Sequence, residues 1–454
     1  VKKLVILGGG ESGTGAAILG NAKGYEVFLS DSGPLHDIYR HELITNGIQF
    51  EENGHTKDKI LAADEVIKSP GISDRTPLLQ EIIQRRIPII SEIEFASRFT
   101  NARLIGITGS NGKTTTTLLI YHLLNSAGLK VGLAGNIGQS FARQVAQDDL
   151  DYYVLELSSF QLDNMYDFHA HIAVLLNITP DHLDRYDYSF ENYKNSKFRI
   201  CRNQTADDYF IYFNESQPVI ESLAQLSPHS CKVPVSLENQ KIDSSSTYVI
   251  NDTLHFSLPG KSFFLTPEEQ PLKGPHNKIN TMAAVTAASL IGISADQIQT
   301  ALQTFQNAPH RLEPVAQVKG VQYINDSKAT NVDSVYHALG SFSAPIILIL
   351  GGVDKGNDYS QIEGLVAEKV KGIIAMGKDN SKIKDFFNNT NKLYSSVDNL
   401  ESAVLTAAKW GEPGDIVLLS PACASFDLFK NYEDRGDRFK AEVYNLQNIN
   451  TKNA

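Results

Sequence analysis

Short apolar runs recur along the chain between longer segments that are apolar on one face only. The runs are Leu4–Leu7, Glu26–Asp31, Leu104–Thr108, Tyr152–Leu157, Ile172–Ile178, Pro345–Leu350, Gly372–Met376 and Asp415–Leu419. Runs of this kind suit strands buried on both faces, and helical segments follow most of them. That alternation predicts an α/β fold of parallel sheets covered by helices. A fresh strand and a Gly-rich turn start at Leu104 after Ser91–Asn101, and Pro309 follows an amphipathic helix at Ser294–Gln306. These breaks predict three domains, 1–99, 100–308 and 309–454. A chain of 454 residues agrees with that count at about 150 residues per domain. The middle third also holds a β-rich insert around 205–272, with turn signals at Asn251-Asp252 and Pro259-Gly260.

Charge and composition act mainly by exclusion. The 41 Lys+Arg against 52 Asp+Glu leave a net charge of −11, which argues against gripping duplex nucleic acid or an anionic membrane through bulk charge. Small anionic substrates stay open, because a few local cations suffice for them. Cys201, Cys231 and Cys423 have no CxxC spacing. A disulfide framework or zinc ribbon is not expected, and a reducing cytoplasm fits. No apolar run approaches the roughly 18 residues of a membrane span. The start Val1–Leu7 has a superficial likeness to a leader peptide, but its apolar run stops at Gly8 and reads as a first strand.

Four motifs carry candidate chemistry in the first half. Gly8-Gly9-Gly10-Glu11-Ser12-Gly13 satisfies GxGxxG between a strand and a helix, and Asp31 ends the next strand. This is a Rossmann-like arrangement in which backbone approaches a diphosphate at a helix N-terminus. Taken alone it points to NAD, or to a tight turn that binds nothing. Thr108-Gly109-Ser110-Asn111-Gly112-Lys113-Thr114-Thr115 is a phosphate loop in which Ile107 replaces the usual first glycine. Its backbone amides would cradle phosphates, Lys113 would reach the β and γ oxygens, and Thr114 would hold Mg²⁺. Glu156 interrupts a very apolar strand, where a carboxylate must be paired, hydrated or on a metal. His182, in Thr179-Pro180-Asp181-His182, follows another strand and is a candidate metal ligand or orienting group. Lys197 sits in the amphipathic stretch Phe190–Arg202 and by itself reads as a solvated helix lysine.

The second half adds polar clusters at strand and helix ends. Asn277 and Asn280 open an Ala-rich helix, where capping could account for one of them. Arg311 and the run Asn325-Asp326-Ser327-Lys328-Ala329-Thr330-Asn331 begin the last third. Gly351-Gly352-Val353-Asp354-Lys355 and Ser420-Pro421-Ala422-Cys423-Ala424-Ser425-Phe426-Asp427 follow strands, where open α/β sheets place ligands. Cys423 reads as a small buried hydrophobe, because no histidine base is paired with it.

Together TGSNGKTT, LELSSFQL, TPDHLDRY, GPHNKIN, HRLE, INDSKATN, LILGGVDK and LLSPACASFD resemble the Mur ligase family, ATP-dependent amide ligases of bacterial cell-wall synthesis. The likeness covers nearly the whole chain in the family's order and spacing. It implies a Rossmann-like first domain that binds the UDP part of a sugar substrate, which redirects the first motif from NAD to UDP. It implies a central P-loop domain and a Rossmann-like last domain that binds D-glutamate and contacts ATP. INDSKATN and SPACASFD point to the branch that adds D-glutamate to UDP-N-acetylmuramoyl-L-alanine.

By the same resemblance, Ser12, Asp31, Gly71, Asn136, Ser158 and Gln161 face the UDP substrate. Gly33 stands where some relatives carry arginine near the uracil. Gly109 to Thr115, Asn277, Asn280, Arg311, Asp326 and Lys328 serve ATP. Thr114, Glu156, His182 and Lys197 serve magnesium, with two ions expected and Lys197 carried as a carbamate; Lys113, Glu156, His182 and Lys197 form the catalytic set. Thr330, Lys355, Ser425, Phe426 and Tyr432 hold D-glutamate. A cytoplasmic monomer is implied, with hinge motion near Ala308–Pro309. No strong general base for the incoming amine is evident. A sister ligase using another amino acid, or a folate polyglutamylating enzyme, would share the P-loop and Lys197 but differ in the first domain and in SPACASFD. An NAD dehydrogenase would share only the first motif. A non-catalytic nucleotide-binding regulator would need ligand-dependent ADP release to be absent.

Overall fold

The computed structural model describes residues 1–226, 228–238, 245–272, 274–388 and 390–452. The apolar runs become the strands of three sheets. The first sheet contains β1 (Lys3–Leu7), β2 (Glu26–Ser30), β3 (Gln49–Glu51), β4 (Glu65–Lys68) and β5 (Ile89–Ile90), all parallel in the order β3-β2-β1-β4-β5. The run expected as the first strand is thus the central strand of this sheet.

The second sheet contains β6 (Arg103–Thr108), β7 (Val131–Gly135), β8 (Tyr152–Glu156), β9 (Ile172–Leu175), β10 (Tyr209–Phe213), β11 (Cys231–Val235), β12 (Ser246–Ile250), β13 (Thr253–Leu258) and β14 (Lys261–Leu265). Its order is β14-β13-β12-β11-β10-β9-β6-β8-β7. The strands from β7 to β12 run parallel, and β12, β13 and β14 form an antiparallel end. The expected β-rich insert is therefore an extension of the central sheet. Part of that stretch, 227 and 239–244, lies outside the described residues.

The third sheet contains β15 (Glu313–Val318), β16 (Val321–Asn325), β17 (Ile346–Leu350), β18 (Val370–Met376), β19 (Leu393–Val397) and β20 (Ile416–Leu419), in the order β15-β16-β20-β17-β18-β19. Only β15 is antiparallel, at one edge. Every residue of β17 and of β20 is buried, the signature of strands covered on both faces.

The chain forms two compact units. One is Val1–Pro271 with Lys278–Phe305 and carries the first two sheets; the other is Leu272–Asn277 with Gln306–Ala454 and carries the third. Buried carboxylates join the first two sheets within their unit. The helix Glu92–Ser97 follows β5, and both of its first glutamates are buried. Glu92 accepts from Ser140 Oγ at 2.7 Å and from Ala142 N at 2.6 Å, so it caps the helix Phe141–Gln147. Glu94 accepts from the backbone amides of Tyr166, Asp167 and Phe168. Arg143 bridges Glu11 and Glu42. Gly15 lies so close to Ser140 that a Cβ would sit 2.1 Å from its Oγ, which lets the helices Glu11–Ala22 and Phe141–Gln147 pack at backbone distance. Among the described residues no helix is long and apolar enough to cross a membrane.

Candidate active site

The first Gly-rich turn joins β1 to the helix Glu11–Ala22. A Cβ on Gly13 would lie 1.8 Å from Gly8 O, so only glycine allows the helix to start this close to the strand. Gly8 itself has φ +97°. The Asp31 carboxylate accepts from Gly9 N at 2.7 Å and from Gly33 N at 2.8 Å, tying the loops after β1 and β2 together. Both of its oxygens are thus engaged in shaping the turn. Ser12 lies in the first helical turn, and Gly71 is exposed in the loop after β4, the strand beside β1. Lys68, buried, holds that loop by an ion pair to Asp74 at 2.8 Å and a hydrogen bond to Ile72 O.

The second turn joins β6 to the helix Lys113–Ser126. Gly112 takes φ +87° just before the helix, and Gly109 takes +153°. The Lys113 ammonium donates to Gly109 O at 2.8 Å and Ser110 O at 2.9 Å. Asn177, after β9, braces the loop from the neighbouring strand: its Oδ1 accepts from Asn111 N, and its Nδ2 donates to Asn111 O. Ser110 Oγ donates to Thr179 O at 2.8 Å and pairs with the Tyr193 hydroxyl at 3.1 Å. Thr114 and Thr115 occupy the first helical turn. Asn280 closes over the loop: its Oδ1 would lie 2.4 Å from a Cβ on Gly112, and it lies 3.3 Å from Thr116 Oγ1.

Lys197 is the largest departure from the reading of the residues alone. It is not a solvated helix lysine but 2 % exposed, and its Nζ donates to Gly109 O at 2.9 Å. The helix Phe190–Phe198 presents Tyr193, Lys194, Ser196, Lys197 and Phe198 inward, and the Lys197 amine lies 4.7 Å from the Tyr193 ring centroid. Burial, followed by repulsion from Lys113, pushes its pKa well below the usual lysine value. An amine held this way favours the neutral, nucleophilic form.

Glu156, at the end of β8, is 2 % exposed. Its Oε1 accepts from Asn136 Nδ2 at 3.0 Å, while its Oε2 is buried with no hydrogen-bond partner among the described residues. A buried carboxylate oxygen left unpaired is costly unless a cation or water completes it. Asn136 N in turn donates to Glu156 O at 2.8 Å, and a Cβ on Gly135 would lie 2.2 Å from that carbonyl. Ser158 and Gln161 form a capping box on the short helix that follows β8. His182 is half exposed, takes a left-handed backbone and meets the Phe160 ring edge-on at 5.3 Å. Arg185 stacks over Phe160 and donates to the carbonyls of Pro70, Gly71 and Ile72, linking the His182 loop to the Gly71 loop. Among the described residues no three His, Cys, Asp or Glu side chains form a metal-holding group.

In the second unit the loops after β16, β17 and β20, three adjacent strands, converge at their carboxyl ends. Gly351 N donates to Pro421 O, Val353 N to Ala424 O and Ala422 N to Ala329 O. Thr330, Lys355 and Phe426 are exposed along these loops, and Ser425 is buried. Lys328 Nζ lies 3.6 Å from the Tyr432 ring centroid. Asp326 accepts from Ser420 Oγ at 2.9 Å and Leu312 N at 3.2 Å, and burial pushes its pKa up to about 7. Asn277 and Arg311 also belong to this unit. Arg435 was not legible as a site residue: fully buried, it donates to Ser327 Oγ, Ser327 O and Cys423 O, binding two of the loops. Cys423 is buried as expected, beside Asn357 and Tyr359.

A phosphate loop beside a buried lysine and a half-satisfied glutamate, with a glycine-rich turn on the first sheet and a third sheet in the second unit, is the architecture of a phosphate-binding α/β protein. Family models match it piece by piece: MurD N-terminal domain over residues 3–78, Mur ligase middle domain over 107–288, and Mur ligase, glutamate ligase domain over 310–423. The chain belongs to the Mur ligase family. It is 52 % identical over 445 residues, 98 % of each chain, to the UDP-N-acetylmuramoylalanine–D-glutamate ligase of Porphyromonas gingivalis strain W83. Identity to the ligase of the same name from Cytophaga hutchinsonii is 52 % over 449 residues, 98 % of this chain and 99 % of that one. Among solved structures, a pseudomurein peptide ligase type C from Methanothermus fervidus aligns at TM-score 0.62 with 20 % identity, over 98 % of this chain and all of that one. MurF from Thermotoga maritima in complex with ADP aligns at 0.60 with 16 % identity, over 92 % and 95 %. These two share the fold.

Proposed function

We propose that the protein joins D-glutamate to UDP-N-acetylmuramoyl-L-alanine at the expense of ATP, as a monomer in the cytoplasm, with domains at 1–99, 100–308 and 309–454. The observation that carries this reading is the 52 % identity over 98 % of the chain to a ligase of that name, and Lys113 and Lys197, which both donate to Gly109 O of the phosphate loop, support it. The substrate carboxylate attacks the γ-phosphate and forms an acyl phosphate. The amine of D-glutamate attacks the acyl carbon, and phosphate leaves. Both partners are anionic, so positive charge at the loop supplies much of the rate.

Each residue has a task in this scheme. Gly109 to Thr115 cradle the triphosphate, and Lys113 turns from the loop carbonyls to the β and γ oxygens. Ser12, Asp31, Gly71, Asn136, Ser158 and Gln161 hold the UDP substrate. Asn277, Asn280, Arg311, Asp326 and Lys328 serve the nucleotide. Thr330, Lys355, Ser425, Phe426 and Tyr432 hold D-glutamate.

Two Mg²⁺ ions belong to this reading, held by Thr114, Glu156, His182 and a modified Lys197. Glu156 Oε2 is a buried oxygen without a partner among the described residues, and Thr114 lies in the first turn of the helix that follows the loop. Lys197, whose pKa burial lowers, would add CO₂ through its neutral amine and lose a proton, and the resulting carbamate would supply, with His182, carboxylate-like oxygen and nitrogen donors to the second ion. When bound, Mg²⁺ neutralises phosphate charge. ADP release measured with a panel of amino acids tests the function. Release that requires both the UDP substrate and D-glutamate is expected; release with another amino acid, or with neither substrate, would refute it.

A further inference from the structure

We propose that Asn357 is a positioning residue that sets amino-acid selectivity by clamping the Lys355 turn onto the Ser425 loop. This deepens the reading of Lys355 and Ser425 as the D-glutamate pocket and rests on it. The loop after β17 is built around Asp354, whose Oδ1 accepts from Gly356 N at 2.7 Å, Asn357 N at 3.0 Å and Lys382 Nζ at 3.0 Å. That turn displays the exposed Lys355 at its tip. Nothing in the turn itself fixes its distance from Ser425.

The stitching to the other loop does. Backbone bonds Gly351 N to Pro421 O and Val353 N to Ala424 O start a zipper, and a Cβ on Gly352 would meet Ala424 O at 2.3 Å. The zipper leaves the middle of the facing loop to a side chain. Asn357 Nδ2 donates to Ala422 O at 3.0 Å and lies 3.2 Å from Cys423 Sγ. Ala422 is fully buried and takes φ +61°, a conformation that a residue with a Cβ rarely adopts. Such a backbone persists only where its surroundings over-determine it. Asn357 holds the carbonyl of that residue, three positions before Ser425. The turn that carries Lys355 and the loop that carries Ser425 are therefore held in one register, and in this proposal that register sets the length of dicarboxylate accepted.

The test compares Asn357→Asp, which keeps the shape but turns a donor towards Ala422 O into an acceptor, with Asn357→Ala. The KM for D-glutamate should rise about three- to thirtyfold, the span expected from losing one or two hydrogen bonds. The KM values for ATP and the UDP substrate should stay within about twofold, and kcat should change less than the D-glutamate KM. Use of D-aspartate and D-2-aminoadipate should gain on D-glutamate, which a general loss of stability would not produce. Should one variant fail to fold, the other gives the same split. An unchanged D-glutamate KM, or equal losses for all three substrates, overturns the proposal. Lys355→Ala, run beside them, should raise the D-glutamate KM roughly ten- to a hundredfold through a lost charge-assisted bond. If it has no effect, the pocket reading itself fails. If it acts and the Asn357 variants do not, the positioning role alone fails.

Discussion

Replacing Lys197 by alanine separates the chemical role of this residue from its packing. The substitution deletes three buried methylenes and an amine bonded to Gly109 O at 2.9 Å. At about 0.8 kcal/mol per methylene and about 1 kcal/mol for the hydrogen bond, the gross loss is roughly 3 kcal/mol. Removing an amine that burial already penalises offsets part of that. The variant therefore keeps a positive share of the roughly 5–15 kcal/mol available to a folded protein and remains folded. Activity should fall much further, by about a hundred- to a thousandfold or more, the scale of losing a charge-stabilising group at a transition state. Acetate or propionate, small enough for the vacated space, should restore part of it by supplying the missing carboxylate. Lys197→Met fills the same space and should not respond. ADP release dependent on both substrates, measured against rising carboxylate concentration with circular dichroism as the folding control, reads all three proteins. Near-normal activity in Lys197→Ala, or equal rescue of the methionine variant, would falsify the carbamate assignment. With CO₂ excluded, so that it is unmodified, the wild-type Lys197 amine adds a second readout. Its pKa is lowered in the folded state, so between that value and the unfolded value near 10.4 the unfolded chain binds the extra proton. Its contribution to stability therefore rises with pH across that window, and Lys197→Met should flatten the slope.

Glu92 should show the opposite slope. Burial raises its pKa from 4.5 to about 7, so between these values the folded protein holds the proton and stability falls as pH rises. At 1.36 kcal/mol per unit the full effect is roughly 3 kcal/mol. Urea titrations of Glu92→Gln at pH 5 and pH 8 should differ less than those of the wild type, and an unchanged difference would remove Glu92 as the cause. The first domain should bind a UDP-sugar in preference to NAD⁺, because the family to which the chain belongs ligates UDP-linked substrates and its reaction has no use for a dinucleotide. Tight NAD⁺ binding that the UDP-sugar does not displace, seen by calorimetry on the whole protein, would reverse that reading.

The local motifs were legible because their physics is local. A strand, a glycine turn and a helix in register announce an anion cradle within about ten residues, so Gly8 to Gly13 and Gly109 to Thr115 could be recognised without tertiary information. The apolar runs likewise announced parallel sheets, since strands buried on both faces must be apolar throughout. Glu156 stood out because a carboxylate inside such a run demands a partner. Lys197 carried no such signal. Its helix has the composition of a surface helix, and the carbonyl its amine binds belongs to Gly109, 88 positions away. Arg435 reaches Ser327 across 108 positions, and Asn357 reaches Ala422 across 65. Composition and spacing do not encode contacts of that range. The last two arise when sheet order brings β16, β20 and β17 side by side and sets their carboxyl-end loops within hydrogen-bonding distance. The chain order of strands was readable, but their lateral order, which decides the neighbours of a loop, depends on how the whole sheet packs.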